Sequence, residues 1–418
     1  MNSFLVNSFF IVTIFSIVRL YAGLFLASYF FPSDYGIIAI PIAFFALLEV
    51  LIDGGNSSAI INKNITKPEL RTLIYRRLKF IIMVSMIALI SLSFINWAFL
   101  HNKVPYIVIV LVLINSIFKG LTFYFESRLI ANGKFIFCET SSFISTLIAF
   151  VSTIFLINLI DLSGYSFLLI NLLLQQITYA VTLVYREHFL EINLKRKFQK
   201  EDISFIKYKN DVLKGAIVDQ FRSRLDEMLI SIYFAISNIG VYYKIKEFAI
   251  TLSGFGSKAI ARPWFYYSSV NPKSKTLRYW IIFSIICLVL FPIFFNIFDF
   301  LINFFIIDVM GNNWTLLKEY TRFIYILAFL YFFYTFNKST MLGLGFSNMV
   351  LSAEIISLVF RIFVYLIYLL VFINQYRLTI EVIFKIEIAL WVMTIILQII
   401  MIAYLFFKER PKISPSIK

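Results

Sequence analysis

The sequence predicts an all-α polytopic membrane protein, with about twelve transmembrane helices in two six-helix lobes around a central hydrated cavity. Hydrophobic residues make up 61% of the 418 residues, charged residues make up 15%, and the mean hydropathy is +0.87. The apolar residues fall in runs of about 20 or more, the length that a helix needs to cross a bilayer. Lipid permits only helices or closed barrels, and the alternating ten-residue segments of a barrel are absent. One apolar run, at residues 211–234, contains six charges besides Asp211 at its start, which predicts a wet interior.

Six predicted helices form the N-terminal lobe, which covers residues 1–185. The first run is too long for a signal peptide and has no small-residue cleavage site, so we expect it to be retained. A tight Pro-Ser-Asp-Tyr-Gly turn separates the first helix from the second, and a basic segment separates the second from the third. The predicted helices cover residues 5–31, 35–61, 80–100, 106–130, 135–160 and 165–185.

Six more helices are predicted in the C-terminal lobe, which covers residues 211–418 and ends in a basic cytoplasmic tail. The longest polar segment, a basic linker at residues 186–210, separates the two lobes, an arrangement that many transporters share. The connection at residues 299–313 is hydrophobic and has no clear helix signal. The predicted helices cover residues 211–234, 239–260, 279–298, 318–342, 346–373 and 380–407.

The distribution of lysine and arginine predicts the orientation in the membrane. Connections that follow even-numbered helices, together with the two chain ends, carry most of these residues, whereas the odd-numbered connections offer little beyond Lys103, Lys318 and Arg377. By the positive-inside rule, both termini are cytoplasmic. The net charge of +15 therefore reflects loops that face anionic lipid and not a nucleic-acid partner.

The seventh predicted helix is the most charged of the twelve. A charge at the centre of a lipid-facing helix costs about 2.5–3.5 kcal/mol, whereas a large apolar residue returns only about 0.3–0.6 kcal/mol. At about 100° per residue, most of its charges share one side, with Arg224 nearer the apolar side. That side needs water or partners. The charged residues are Lys214, Asp219, Arg222, Arg224, Asp226 and Glu227.

Other ionisable residues also lie at membrane depth, where they usually mark a substrate or ion pathway. We expect Arg19 and Lys119 to sit deep and to face a hydrated cavity. A second group lies closer to helix ends, where snorkelling or mutual neutralisation suffices; it comprises Glu49, Glu126, Lys338, Lys385 and Glu387. The remaining members are Asp53, Glu139, Lys244, Lys246, Glu247, Glu354 and Arg361.

No cofactor is predicted. The glycine-containing stretch at residues 254–258 lacks the spacing of a phosphate loop and lies inside a hydrophobic run, so we expect no ATP site. Cys138 and Cys287 lie in hydrophobic runs, and His101 and His188 are isolated. We therefore expect neither a disulfide framework nor a metal site.

Four stretches of the sequence are recognisable as a set. They are FPSDYGIIAI at residues 31–40, LIDGGNSSAIIN at 51–62, ESRLIANGKF at 126–135, and a hairpin at 224–249 that contains Asp226, Gly240 and Tyr242. Together with Pro263, they resemble the Wzx-type O-antigen flippases, the polysaccharide transporters of the multidrug/oligosaccharidyl-lipid/polysaccharide exporter superfamily. The resemblance covers roughly the first 265 residues in order, and the remaining residues match in hydropathy alone.

The resemblance implies a transport function in lipopolysaccharide biosynthesis and no enzymatic activity. A flippase of this family translocates undecaprenyl-diphosphate-linked oligosaccharide repeat units from the cytoplasmic to the periplasmic leaflet of the bacterial inner membrane. Membrane lipids, an O-antigen polymerase and a chain-length regulator are the further partners that it implies. Alternating access by rocking of the two lobes would move the substrate.

The substrate's chemistry assigns roles to the polar residues. A diphosphate needs fixed cations, a glycan needs hydrogen-bonding groups, and coupling to H+ or Na+ needs carboxylates. The diphosphate candidates are Arg19, Lys119, Arg222, Arg224, Lys244 and Lys246; the candidates for ion coupling or charge neutralisation are Asp53, Asp219, Asp226 and Glu227; the glycan candidates are Gln175, Gln176, Gln220 and Tyr242, with Ser223.

Two alternatives stay open. A small-molecule (drug) antiporter of the same superfamily would share the fold and the topology. An O-antigen polymerase, which is an enzyme, would have a similar helix count and many aromatic residues. A polymerase should carry a large periplasmic loop with arginine-rich motifs, whereas the external connections predicted here are short, which favours the flippase.

Overall fold

The computed structural model describes residues 2–63, 67–186, 203–261, 264, 267–268, 271–305, 309–372 and 379–408. Within these residues the regular elements are all helical, and twelve of the helices have between 21 and 33 residues. Each of the twelve overlaps one predicted membrane helix, which confirms the all-α class and agrees with the predicted number. The basic tail and residues 187–202 of the predicted linker lie outside the described residues.

The chain divides into two compact units. The first contains Met1–Lys244 and Ile306–Leu316, and the second contains Ile245–Phe305 and Leu317–Lys418. The predicted lobe boundary at the basic linker divides the chain by helix number and stays a prediction. The helices of the first unit are α1 (Asn2–Ser28), α2 (Pro32–Asp53), α3 (Asn56–Lys63), α4 (Lys67–Ala98), α5 (Tyr106–Ala131), α6 (Phe135–Leu159), α7 (Gly164–Arg186), α8 (Ile203–Tyr233) and the start of α9 (Ile236–Gly256).

Helix α2 is the centre of the first unit. It packs against α4, α5, α7 and α8, and it is apolar around most of its circumference, as a helix surrounded by other helices should be. Pro32 stands in its first turn, where a missing N–H costs nothing. A helix so enclosed fixes the positions of the helices around it, including the charged α8.

The second unit has a buried helix of its own. A π-helical turn, Ser257–Ala261, follows α9. The remaining helices are α10 (Lys273–Phe305), α11 (Thr315–Glu319), α12 (Thr321–Gly343), α13 (Ser347–Phe372) and α14 (Ile380–Lys408). Helix α12 packs against α10, α13 and α14, and Trp280 of α10 and Phe336 of α12 share one hydrophobic cluster with Ile402 of α14.

Several helix ends differ from the prediction. Helix α2 ends at Asp53, because Gly54 and Gly55 adopt left-handed conformations with φ of 60° and 73° and turn the chain into the short α3. Helices α4 and α8 begin earlier than predicted, at Lys67 and Ile203. Hydropathy marks only the apolar part of a helix, so polar turns that extend it were missed.

Eight of the described helices are long and apolar enough to cross a membrane. Four predicted spans are not among the eight: α1, α8, α9 and α12. In α1 the described apolar segment is Ile14–Ser28, whereas α8 and α9 carry the charged side chains considered next. A bundle of eight such helices identifies a multi-pass membrane protein.

Candidate functional site

Two glycines hold the hairpin of α8 and α9 against the start of α2. An ideal Cβ atom on Gly240 would lie 1.7 Å from the carbonyl oxygen of Pro32, and one on Gly36 would lie 2.0 Å from the carbonyl oxygen of Ile236. Since real Cβ atoms do not approach a backbone oxygen so closely, only glycine lets the two backbones touch here. This contact places the charged α8 beside α2.

Lys103 closes the end of α8. Its ammonium group donates to the carbonyl oxygens of Ser231, Ile232 and Phe234 at 3.1, 3.2 and 3.0 Å. A helix leaves its last carbonyls without partners, and its negative end favours a cation. Partial burial lowers the pKa of Lys103. Lys103, one of the few basic residues on the connections predicted to be external, therefore has a structural role.

Trp314 fixes the end of α1. Its indole N–H donates to the carbonyl oxygens of Ala27 at 2.9 Å and Phe30 at 3.2 Å. The indole also meets Tyr35 edge to face, with ring centroids 5.4 Å apart. The ammonium of Lys244 lies 4.5 Å from the centroid of the same tyrosine ring, a cation–π contact. Trp314 thus lies in a short segment of the first unit, Ile306–Leu316, although the longer segments before and after it belong to the second.

Two ion pairs lie within α8 itself. Nη2 of Arg222 is 2.6 Å from Oδ1 of Asp219, and Nη1 of Arg224 is 2.7 Å from Oε2 of Glu227. Each pair joins residues three positions apart, which face each other on a helix. The helix therefore carries part of its own charge neutralisation.

Asp226 connects α8 with α9, since its carboxylate accepts a hydrogen bond from the hydroxyl of Tyr242. Both side chains are almost fully buried. Glu227 and Tyr242 also border a void of about 10 Å³ together with Ile40, roughly the smallest space that holds a water molecule. Because Tyr242 is buried here, its glycan contact stays a prediction.

Three of the six predicted diphosphate ligands present surface to a ligand. The side chain of Lys119 is 46% exposed and lies 2.7 Å from the carboxylate of Glu49. Arg19 is 22% exposed, lies 3.8 Å from the carboxylate of Glu139 and donates to its backbone carbonyl at 3.2 Å. Arg224 is also 22% exposed. Each of the three cations has a carboxylate partner on α2, α6 or α8.

The other three predicted ligands are buried. Arg222, Lys244 and Lys246 are 0%, 2% and 3% exposed. Arg222 and Lys244 lie in the first unit, and Lys246 lies in the second. In this conformation none of the three offers a surface to an anion, so a ligand role for them needs a different conformation and stays a prediction.

Asp53 lies at the corner between α2 and α3. Its carboxylate accepts hydrogen bonds from the backbone N–H groups of Gly55 at 3.1 Å and Ser57 at 3.0 Å, and from the Ser57 hydroxyl. It therefore caps the start of α3. The Tyr124 hydroxyl donates to the carbonyl oxygen of Ile52 at 2.7 Å and fixes the same corner. Its coupling role stays a prediction.

The predicted glycan ligands on α7 bond to neighbouring helices. The amide of Gln175 donates to the Thr146 hydroxyl of α6 at 3.0 Å, and that of Gln176 donates to the Thr122 hydroxyl of α5 at 3.0 Å. Both glutamines are partly exposed, as is Gln220 on α8. The pattern shows polar packing between helices, and sugar binding by these residues stays a prediction.

Comparison with known proteins establishes the family. A family model described as a polysaccharide biosynthesis protein matches residues 25–319. The chain belongs to this family. A search of curated proteins by sequence finds no match.

Solved structures share the fold of this polysaccharide biosynthesis protein. The lipid II flippase MurJ in an inward closed conformation has a TM-score of 0.66 at 17% identity, over 97% of this chain and 87% of the flippase. An inward-facing multidrug resistance transporter of the MATE family, from the MOP superfamily, has a TM-score of 0.61 at 11% identity, over 94% of each chain. An outward-facing MATE transporter has a TM-score of 0.57 at 12% identity, over 96% of each chain. These values show a common two-lobed fold.

All four recognisable stretches of this family member lie inside the matched region. The structure gives physical reasons for three of them. The Pro-Ser-Asp-Tyr-Gly turn and the Gly-x-Tyr start of α9 meet through Gly36 and Gly240, and the Asp-Gly pair at Asp53 builds the corner between α2 and α3. These motifs therefore serve helix packing first.

A buried charge network in the second unit was not assigned from the sequence. Nη1 of Arg361 lies 2.6 Å from Oε1 of Glu387, and both side chains are 1% exposed. Tyr365 and Trp391 donate to the same carboxylate at 2.5 and 3.1 Å. For Glu387 the sequence predicts either snorkelling or mutual neutralisation near a helix end. Its side chain is buried and is neutralised by the arginine of the adjacent helix, so snorkelling does not apply.

The network has a second part. Nζ of Lys338 lies 3.2 Å from Oε1 of Glu354 and 3.1 Å from the hydroxyl of Tyr334, which itself donates to Glu354. A signal existed in the sequence, because Glu354 and Arg361 are seven residues apart and share one face of α13. Lys338, which is 26% exposed, is the accessible end of this network.

Proposed function

We propose that this protein is a flippase for undecaprenyl-diphosphate-linked O-antigen repeat units, which it moves from the cytoplasmic to the periplasmic leaflet of the bacterial inner membrane. Family membership and a fold shared with a lipid II flippase support the proposal. The observation that carries it is a set of three partly exposed cations in the first unit, Arg19, Lys119 and Arg224. Intramembrane cations are costly and are retained for function.

The carboxylate partners explain how such cations bind and release an anion. A diphosphate offers several charged oxygens, so it can replace a carboxylate beside Lys119 or Arg224 without leaving the cation unpaired. When Glu227 is displaced from Arg224, its carboxylate lacks that counter-charge and favours uptake of H+ or Na+. Substrate binding and ion binding are coupled in this scheme.

Substitution of the exposed cations tests the proposal. In a strain whose own copy is deleted, Lys119→Ala and Arg224→Ala should leave repeat units trapped on the cytoplasmic leaflet while the protein stays in the membrane. Lys119→Arg should retain part of the transport, because it keeps the charge. Lys385→Ala is the matched control, since Lys385 is 63% exposed and pairs with Glu381 on α14. Normal O-antigen display by both alanine variants would contradict the proposal.

A drug antiporter is the second candidate, because the MATE transporters share the fold. The two functions separate in one deletion strain. Loss of drug resistance with normal lipid-linked intermediates would favour the antiporter, and accumulation of lipid-linked glycan would favour the flippase. Single-repeat lipopolysaccharide at the surface would instead indicate a polymerase.

Ion coupling is part of the proposal, with Asp219, Asp226 and Glu227 as its candidates on α8 and Asp53 on α2. Flipping in proteoliposomes should slow when both the H+ and the Na+ gradients are collapsed. Unchanged flipping without gradients would remove the coupling and leave the flippase function intact. The polymerase and the chain-length regulator are proposed partners, which co-purification in mild detergent tests.

A further inference from the structure

A cleft of about 520 Å³ lies in the first unit where the α1–α2 and α6–α7 connections meet. These connections follow the first and the fifth predicted membrane helices. The charge pattern predicts that connections after odd-numbered membrane helices are external. Its lining comprises residues 29–31, 34, 157–162, 164 and 167 and includes none of the charged residues of α8. The volume lies within the range of small-molecule sites.

Aromatic rings form one part of the cleft. Tyr29 and Phe31 are 44% and 58% exposed, whereas Phe30 and Phe167 are buried and stack with ring centroids 6.3 Å apart. The ring of Tyr29 also packs edge to face on Phe25, with ring centroids 5.5 Å apart. An aromatic face carries partial negative charge, which suits the C–H groups on the face of a sugar ring.

Two carboxylates and an amide supply hydrogen-bonding groups. The carboxylate of Asp34 accepts from the backbone N–H groups of Phe31 at 3.0 Å and Tyr165 at 3.2 Å, which fixes its orientation. An ionised carboxylate has about four acceptor sites, so two bonds leave capacity for a ligand hydroxyl. Asp161 and Asn158 are exposed on the α6–α7 side.

The charge of the cleft limits its ligand. Among the described residues, its lining holds two aspartates and no lysine, arginine or histidine. A phosphate, a zwitterionic lipid headgroup or a uronic acid would bring a negative charge to two carboxylates, which is unfavourable. Hydroxyl groups and amines instead form favourable, charge-assisted hydrogen bonds with them.

We propose that this cleft is a binding site for uncharged or amine-bearing sugar units, separate from the cations assigned to the diphosphate. The inference rests on the proposed function only for the origin of the sugar, because a flippase would supply the glycan to the external side. A site of this kind would retain the glycan after translocation, while the lipid tail stays in the bilayer.

Direct binding of soluble trisaccharides to the full-length protein in nanodiscs tests the site, since maltoside detergents would compete. The probes are triacetylchitotriose, which is neutral, its deacetylated form, which carries amines, and trigalacturonate, which is anionic. Saturation-transfer NMR and calorimetry measure binding. We expect the neutral and amine-bearing trimers to bind and the anionic trimer not to bind.

Two variants and one control assign the binding to the cleft. Phe31→Ala should weaken binding of the neutral trimer about fivefold. Asp161→Asn should weaken binding of the amine-bearing trimer about threefold, with a smaller effect on binding of the neutral trimer. Phe99→Ala, at a residue that is 53% exposed on another connection, should change nothing. Size-exclusion chromatography confirms that each variant is folded.

Three outcomes would overturn the site: no binding of any trimer at millimolar concentration, equal binding of the anionic trimer, or unchanged binding by Phe31→Ala. The flipping assay distinguishes this failure from failure of the proposed function. Normal flipping without trisaccharide binding would contradict the sugar site in the cleft and leave the proposed flippase function intact.

Discussion

Helix α8 and the bundle of α12, α13 and α14 both carry buried charges in apolar surroundings, but they neutralise them differently. On α8, two ion pairs each join residues three positions apart in the same helix. In the second unit, Arg361 of α13 pairs with Glu387 of α14, and Lys338 of α12 pairs with Glu354 of α13. The two pairs on α8 are local to one helix, although Asp226 also accepts a hydrogen bond from Tyr242 of α9, whereas the pairs of the second unit crosslink three helices.

The difference bears on which region can move. A pair within one helix travels with that helix, so α8 can shift or rotate without separating those charges. A pair between helices separates when they part, and each buried charge then loses its partner at high cost. The two pairs within α8 therefore do not tie it to a neighbouring helix, whereas the pairs of the α12–α14 bundle hold three helices together and make the bundle rigid.

The largest expected effect comes from breaking the interhelical pair. Glu387→Ala leaves the guanidinium of Arg361 buried without its carboxylate and removes the acceptor of Tyr365 and Trp391. Loss of one partner of a buried pair costs about 3–5 kcal/mol. We therefore expect a large drop in thermal stability and in the amount of folded protein, measured by fluorescence-detected chromatography on heated samples.

The matched control is Glu381→Ala on the same helix, where the carboxylate is 39% exposed and its pairs are at the surface. It should leave thermal stability nearly unchanged, because water solvates both partners of a surface pair. Glu387→Gln should be intermediate, since it retains an acceptor for Tyr365 and Trp391. Equal stability of Glu387→Ala and Glu381→Ala would contradict the rigid role of the bundle.

A smaller effect is expected where α9 meets α2. Gly240→Ala would force a methyl group to within 1.7 Å of the Pro32 carbonyl oxygen, and overpacking of this kind costs about 1–3 kcal/mol. Gly254→Ala is the control on the same helix, because a Cβ there meets nothing within 4 Å. Helix propensity alone predicts that this control is neutral or stabilising. Similar stability of the two variants would contradict the role of this backbone contact in placing α8.

The sequence predicted the regions unevenly. Charges on α8 and the positions of the long helices are local patterns of hydropathy and spacing, so they could be predicted. Arg361 and Glu387 are 26 residues apart in the sequence. Their pairing depends on the orientation of α13 relative to α14, which the sequence pattern does not give. Likewise, Gly240 was recognisable as part of a motif, but its contact with Pro32 depends on tertiary packing.

An effect on stability smaller than that at Gly240 is expected at the end of α1. Trp314→Phe keeps the ring beside Tyr35 but removes the N–H that two carbonyl oxygens accept, which should cost about 1–2 kcal/mol. Trp97→Phe, at a tryptophan that is 64% exposed, is the control and should have no effect on thermal stability. A change no larger than that of Trp97→Phe would mean that the indole N–H does not stabilise this corner.

The smallest effect on stability is expected at Lys119. This variant distinguishes the effect of side-chain exposure from the effect of pairing between two helices. The Lys119–Glu49 pair joins two helices, as the Arg361–Glu387 pair does, but Lys119 is 46% exposed whereas Arg361 is 1% exposed. Water solvates an exposed ammonium, so Lys119→Met should cost less than about 1 kcal/mol in thermal unfolding. Transport by the same variant should nevertheless fall, because the proposed diphosphate contact is lost. A stability loss as large as that of Glu387→Ala would show that interhelical pairing alone, and not burial, sets the cost.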